Sequence, residues 1–264
     1  MVLRFKLSVL SCFPTIASSF PLYEQLCTID VFAINDNNAK RCSMSLNPAV
    51  ARRRVIQWSL VPVAVIVLAL GWKYPVLGFT VPVVMLMGFV GGLFNGRYVC
   101  GNLCPRGSLF DRVIAPISLG KTIPAFLRQM PLRWTIFAAL IAFMIWRISQ
   151  NPYDWQHWGL TFWSMCVITT AIGIVLGILL HPRTWCAFCP MGTIQNALGG
   201  AKKQLSIDSA KCKTCHACEK ACPIQLAIVQ DKVGGRLTSR DCLKCPECIA
   251  VCPVKALNWP ASSH

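Results

Sequence analysis

Apolar positions along the chain gather into four long blocks, residues 55–72, 76–94, 134–148 and 160–180. A helix crossing the hydrocarbon core of a bilayer needs ~20 mostly apolar residues. The first, second and fourth blocks meet that requirement and each predicts a membrane span. The third is shorter and carries Arg147 near its end, where a long side chain can reach the interface. Four spans are therefore expected, followed by a cysteine-rich tail.

Composition agrees with a membrane chain. Of 264 residues, 55% are hydrophobic and 14% are charged, against ~25% charged in ordinary soluble domains. The net charge of +16 is placed unevenly. Arg52, Arg53 and Arg54 precede the first span, and Arg97, Arg106, Arg112, Lys121, Arg128 and Arg133 fill the loop between the second and third. The first-to-second connection holds only Lys73, and residues 149–159 hold no Lys or Arg. By the positive-inside rule the N-terminal side, the middle loop and the tail face the cytoplasm. A multi-pass protein of the bacterial inner membrane follows, with lipid and not nucleic acid as the partner of its charges.

Sixteen cysteines in a chain facing a reducing compartment point to metal rather than disulfides. Cys12, Cys27 and Cys42 lie at wide, irregular spacing that suits no ligand set. They fall in residues 1–43, whose opening "MVLRFKLSVLSCFPTIASSF" imitates a signal peptide. The reading adopted for that stretch is an over-extended start or a disordered leader, with Met44 the natural first residue.

Two internal duplications carry the chemistry. "KCKTCHACEKACP" (211–223) and "DCLKCPECIAVCP" (241–253) both read C-x2-C-x2-C-x3-C-P. That is the run of bacterial two-cluster ferredoxins, in which the fourth cysteine ligates the other cluster. Carried over residue by residue, Cys212, Cys215, Cys218 and Cys252 would hold one 4Fe–4S cluster. Cys242, Cys245, Cys248 and Cys222 would hold the second. "CKTCH" also imitates a c-type haem attachment site. The second copy, however, has Pro246 where the first has His216, and a haem would leave Cys218 and Cys222 idle. Zinc on four cysteines would leave half of the eight unused. Between the copies, "KVGGRLTS" predicts a turn inside a small β-hairpin.

The second duplication pairs "GRYVCGNLCPRGSLFD" (96–111) with "PRTWCAFCPMGTIQN" (182–196). Each has an Arg three residues before its first Cys, then Cys-Pro, then x-Gly-[Ser/Thr]-[Leu/Ile]. Each follows an outward-to-inward span, so the membrane part reads as one helical hairpin used twice. Gly88, Gly92 and Gly96 on the second span and Gly173 and Gly177 on the fourth are spaced for close helix approach, which suggests that the two Cys-bearing helix ends lie side by side. Three readings stay open for Cys100, Cys104, Cys186 and Cys189: a third metal or cluster, a thiol set that is redox-active or seats the tail, and small buried packing groups. Cys166, alone inside the fourth span, reads as packing.

With these motifs the chain resembles the membrane ferredoxin-type proteins of the NapH and NosR kind, polyferredoxin-like quinol dehydrogenases, over residues 51–258. It departs from them where Cys186-Ala-Phe-Cys189 is one residue shorter than Cys100-Gly-Asn-Leu-Cys104, and it lacks the periplasmic flavin domain of NosR-like members. The expected fold is mainly α: a four-helix polytopic membrane domain (51–200), then a small α+β two-cluster ferredoxin domain (205–260). The resemblance implies electron transfer between the quinone/quinol pool and a redox enzyme partner. Two other functions compete: an accessory electron donor for maturing or reactivating a metalloenzyme, and a membrane-anchored ferredoxin without quinone chemistry. Tyr153, Asp154 and His157 are candidates for a quinol site, read more simply as an interfacial aromatic belt. His181 reads equally as an interfacial residue or a ligand.

Overall fold

The computed structural model describes residues 47–260. The expected leader at 1–43, with Cys12, Cys27 and Cys42, lies outside the described residues. The fold is mainly helical, and four helices are long and apolar enough to cross a membrane. Helix α1 (Pro48–Leu70) starts on Asn47, whose Oδ1 accepts from the Ala49 N–H at 3.0 Å. Pro48 takes the first helical position, where a missing N–H costs nothing. A short 3-10 turn, Pro75–Phe79, runs into α2 (Thr80–Asn95), and together they form the second span.

Residues 98–114 wind back as α3 (Tyr98–Asn102), α4 (Pro105–Leu109) and a wider turn over Phe110–Ile114. The third and fourth spans are α5 (Met130–Gln150) and α6 (Trp155–Leu179). Two short helices follow, α7 (Thr184–Phe188) and α8 (Pro190–Gly199). The outward faces of the spans expose Val65, Ile66, Val83, Leu86, Ile145 and Val175, a surface suited to lipid because it asks for no hydrogen bonds. Spans one and three begin before the apolar blocks of the sequence. Their first two turns carry Arg53 and Arg133, which are charged yet buried, so hydropathy alone stops short of them.

The glycine stripes take specific partners. Gly88 and Gly92 admit Gln195 of α8, while Gly173 and Gly177 admit Phe110 and Ile114. Each glycine stripe receives the segment that follows the other Cys-Pro motif, so the duplicated halves are interlocked instead of merely adjacent. The backbone of Gly199 comes so close to Gly92 that a side chain on Gly199 has no room.

The tail pairs β1 (Ser206–Ile207) antiparallel with β2 (Leu257–Asn258), Ser206 opposite Asn258. It adds α9 (Ala217–Lys220) and α10 (Glu247–Val251). Leu205, Ile207, Ile224, Leu226, Ile228, Leu237 and Leu257 form its core. The expected hairpin around "KVGGRLTS" is not what forms. A 3-10 turn (Val229–Lys232) and Gly235 at φ 65° bring Arg236 to a single bridge with Ser206. The ladder that closes the domain is long-range, between its two ends.

Candidate iron–sulfur centre

The two tail motifs build the same loop twice. Thr214 and Lys244, each two residues after the first cysteine, have φ of 53° and 53°; Gln225 and Lys255, each three after the Cys-Pro cysteine, have 52° and 49°. Left-handed backbone is uncommon for non-glycine residues, and its recurrence at matched positions marks one loop geometry held twice. The Gln225 and Lys255 N–H groups return to the Cys222 and Cys252 carbonyls at 2.9 and 3.3 Å.

These loops bring the cysteines together in two groups of four. Cys212, Cys215, Cys218 and Cys252 line one small cavity, and Cys222, Cys242, Cys245 and Cys248 line another. The fourth cysteine of each motif thus stands with the three of the other. None of the thirteen cysteines in the described residues is in a disulfide. Among the described residues, no three Cys, His, Asp or Glu side chains close on a single metal ion, which would hold its thiolates at ~2.3 Å. Burial pushes the Cys242 thiol up to about 11 and the Cys245 thiol up to about 12. Bare thiolates here would be costly, so a positive metal core is the natural counterpart of these groups. His216, the residue that imitates haem attachment, is exposed, and its Nδ1 lies 2.6 Å from Glu219 Oε2.

Cys100, Cys104, Cys186 and Cys189 share a third cavity of about 220 Å³, which reaches up between the spans. The motifs around them answer each other across a local two-fold relation. Arg97 Nη2 donates to the Cys186 carbonyl at 2.5 Å, and Arg183 Nη1 donates to the Cys100 carbonyl at 3.0 Å. Gly107 and Gly192 make room for those guanidiniums: a methyl on Gly107 would stand 2.5 Å from Arg183 Nη1, and one on Gly192 2.5 Å from Arg97 Nη2. The Ser108 and Thr193 hydroxyls donate to the Cys104 and Cys189 carbonyls at 3.0 and 3.1 Å. The repeated Arg, Gly and Ser or Thr therefore each have a task, and the Arg and Gly act on the opposite copy. Cys166 also borders this cavity.

The symmetry breaks where the tail docks. Seven residues after its Cys-Pro cysteine, the first motif has Asp111, which binds Arg183 at 2.6 and 2.7 Å and Arg53 at 2.7 Å. The second has Asn196 at that place, and the missing carboxylate is supplied by Asp241 of the tail. Asp241 Oδ1 accepts from Asn196 at 2.7 Å, Arg97 at 2.7 Å and Arg133 at 2.9 Å. On the other side Arg53 reaches Glu247 of the tail at 2.6 Å. Burial alone would raise the Asp111 and Asp241 carboxyls, but the facing guanidiniums hold both below the usual carboxylate range. The longer loop of the first motif also finds its reason. Gly101 lies directly under Leu243 of the tail, and Asn102 Nδ2 donates to the Lys244 carbonyl at 3.4 Å.

Sequence reasoning took Arg53 and Arg133 only as topogenic charges, and Arg97 as a topogenic charge and the repeated Arg of the Cys-Pro motif. They are the seam between tail and spans, and the signal available was the Arg repeated before each Cys pair. The outer-side candidates do other work. Asp154 caps α6 by accepting from the Gln156 N–H at 2.9 Å, His157 Nε2 lies 2.8 Å from the Arg147 carbonyl, and Tyr153 is fully exposed. None of the three lines the cavity at the cysteines. His181 shapes the turn before the second motif, its Nδ1 accepting from the Arg183 N–H at 3.4 Å. Burial pushes its pKa down.

A family model described as a 4Fe-4S binding domain matches the chain twice, over residues 77–121 and 163–207. Those stretches are the second and fourth spans with their Cys-Pro motifs, the two halves that interlock. The ferredoxin-type protein NapH of Escherichia coli is 27% identical over 175 residues, covering 61% of this chain and 60% of that one. An uncharacterized protein of Methanocaldococcus jannaschii is 24% identical over 181 residues, 67% of this chain and 69% of its own length. A ferredoxin of Pyrobaculum islandicum is 38% identical over 56 residues, 21% of this chain and 52% of that one. No solved structure matches the chain. The chain is thus a ferredoxin-type iron–sulfur electron-transfer protein, similar to NapH, with the helices of a membrane protein.

Proposed function

We propose that this NapH-like protein passes electrons between the membrane quinone pool and a redox partner, with its tail on the cytoplasmic side of a bacterial inner membrane. The observation that carries the reading is the sorting of eight tail cysteines into two four-cysteine cavities, one of them against the membrane cysteines. Cys212, Cys215, Cys218 and Cys252 would hold one 4Fe–4S cluster, and Cys222, Cys242, Cys245 and Cys248 the other. Bound there, the clusters supply one-electron chemistry. Everything else falls to the chain: the tail loops fix the thiolates, and the spans fix the tail at the membrane surface.

Cys100, Cys104, Cys186 and Cys189 would hold a third cluster or metal. Buried Arg97 and Arg183 and half-buried Arg106 support this, since four thiolates bring negative charge that nearby guanidiniums offset. Arg183 Nη1 stands 3.5 Å from Cys186 Sγ. The same cavity supports a quinol ring beside those cysteines. Its walls are Val63, Val67, Val84, Phe137 and Met165, with Arg106, Thr169 and Gln195 as polar groups. Gln195 Oε1 and Trp185 Nε1, also in its wall, have no hydrogen-bond partner among the described residues. One acceptor and one donor in an apolar slot suit a ring hydroxyl and carbonyl.

The test is EPR of anaerobically prepared membranes before and after a reduced quinone analogue is added. Signals of reduced clusters should grow with quinol and disappear with an inhibitor of quinol sites. Clusters that reduce with dithionite but ignore quinol would leave an anchored ferredoxin or a maturation donor as the function.

A further inference from the structure

The two tail sites are unlike in exposure, and the difference runs in one direction. Cys222, Cys242, Cys245 and Cys248 are all buried, and Leu243 of that loop rests on Gly101 between the membrane cysteines Cys100 and Cys104. At the other site Cys212, Cys218 and Cys252 are half-buried and Cys215 is exposed. A buried site on the membrane side and an open site beyond it make a path that ends at Cys215.

The loops of that open site carry exposed cations. Lys213 sits between Cys212 and Cys215, Lys220 two residues after Cys218, and Lys255 three residues after Cys252, all of them exposed. The neighbouring acids are engaged locally: Asp208 holds Lys211 at 2.9 Å, and Glu219 holds His216 at 2.6 Å and the Val229 N–H at 2.8 Å. Lys213, Lys220 and Lys255 form no ion pair among the described residues, so the face around Cys215 is left positive. We propose that this face is the docking surface for a soluble electron-transfer partner whose own surface is acidic. The inference rests on the cluster reading above. The exchange is a single electron: one side is oxidised, the other reduced, and no bond is made or broken.

The experiment uses the full chain in detergent, loaded anaerobically, with iron content and EPR recorded first. An acidic flavodoxin in its fully reduced form serves as electron donor, and cluster bleaching is followed by stopped flow. The rate should fall as salt rises, because steering between opposite charges is screened. Lys213→Glu, Lys220→Glu and Lys255→Glu together should slow the low-salt rate by about tenfold or more and flatten its salt dependence. Reduction by dithionite should be unchanged. Lys73→Glu, at the opposite end of the spans, should leave both rates as they are. Where the reversals impair loading, the Gln set at the same positions should show a smaller fall in the same direction. A variant with full clusters and the wild-type flavodoxin rate overturns the docking face. Wild-type protein that binds no iron overturns the cluster reading instead.

Discussion

Asp241 is one carboxylate facing two guanidiniums and an amide, at a place where the membrane half has Asn196 in lieu of an acid. Arg97 and Arg133 are both fully buried. Asp241→Asn would leave them uncompensated, at a cost of about 3–5 kcal/mol for breaking a buried pair. Limited proteolysis should then release the tail far faster than from wild type, with the spans intact. Asp111→Asn should harm the membrane half as well, since Arg53 and Arg183 both depend on it. Acid should act like these substitutions. Both carboxyls are held below their ordinary value, so their contribution is complete above the unfolded pKa of ~3.9 and is lost as pH falls through the depressed folded values. Tail release measured by protease accessibility should rise below about pH 4, and a tail equally resistant there would remove Asp241 from the seam.

At the scale of elements, the two helices that follow the Cys-Pro motifs change sides. The contact of α8 with α2 passes through Gly92, Gly199 and Gly96, whose φ is 59°. Gly199→Ala should push α8 off α2 and take Gln195 away from the Gly88 carbonyl, a bond of 2.8 Å. Gly101→Ala should instead lift Leu243 and leave the spans packed. The melting temperature of the membrane half should drop for Gly199→Ala, and tail release should rise for Gly101→Ala. The same melting temperature for both variants would contradict the assignment of the two glycines to different contacts.

For the molecule as a whole, the tail has one two-residue ladder and three short turns of helix. A stretch of this size buries little core and is commonly stapled by metal or disulfides, and this one has no disulfide among the described residues. Anaerobic chelation of iron should therefore unfold residues 205–260 while the helical signal of the spans persists. Cys245→Ser should lose the buried site and uncouple the membrane side from the open one. Cys215→Ser should lose only the open site, so that iron analysis and EPR separate the two variants.

Some of this could be read from the chain alone. Four spans are legible because an apolar run of that length has few other solutions, though Arg53 and Arg133 hid the first turns of two helices. The repeated spacing of the tail cysteines was legible because a loop motif is a local property; that the fourth cysteine of each copy stands with three of the other is read from the two cavities. The repeated Arg, Gly and Ser or Thr were visible, but their purpose was not. Arg97 meets Cys186 and Arg183 meets Cys100 across more than eighty residues of chain, and no local pattern encodes which copy a side chain serves. The second copy likewise ends on Asn196 where the first has Asp111, and the sequence does not say what replaces the carboxylate. The tertiary structure turned Asn196 into the place where Asp241 docks, because a buried guanidinium must find a carboxylate and the one that meets it belongs to the tail.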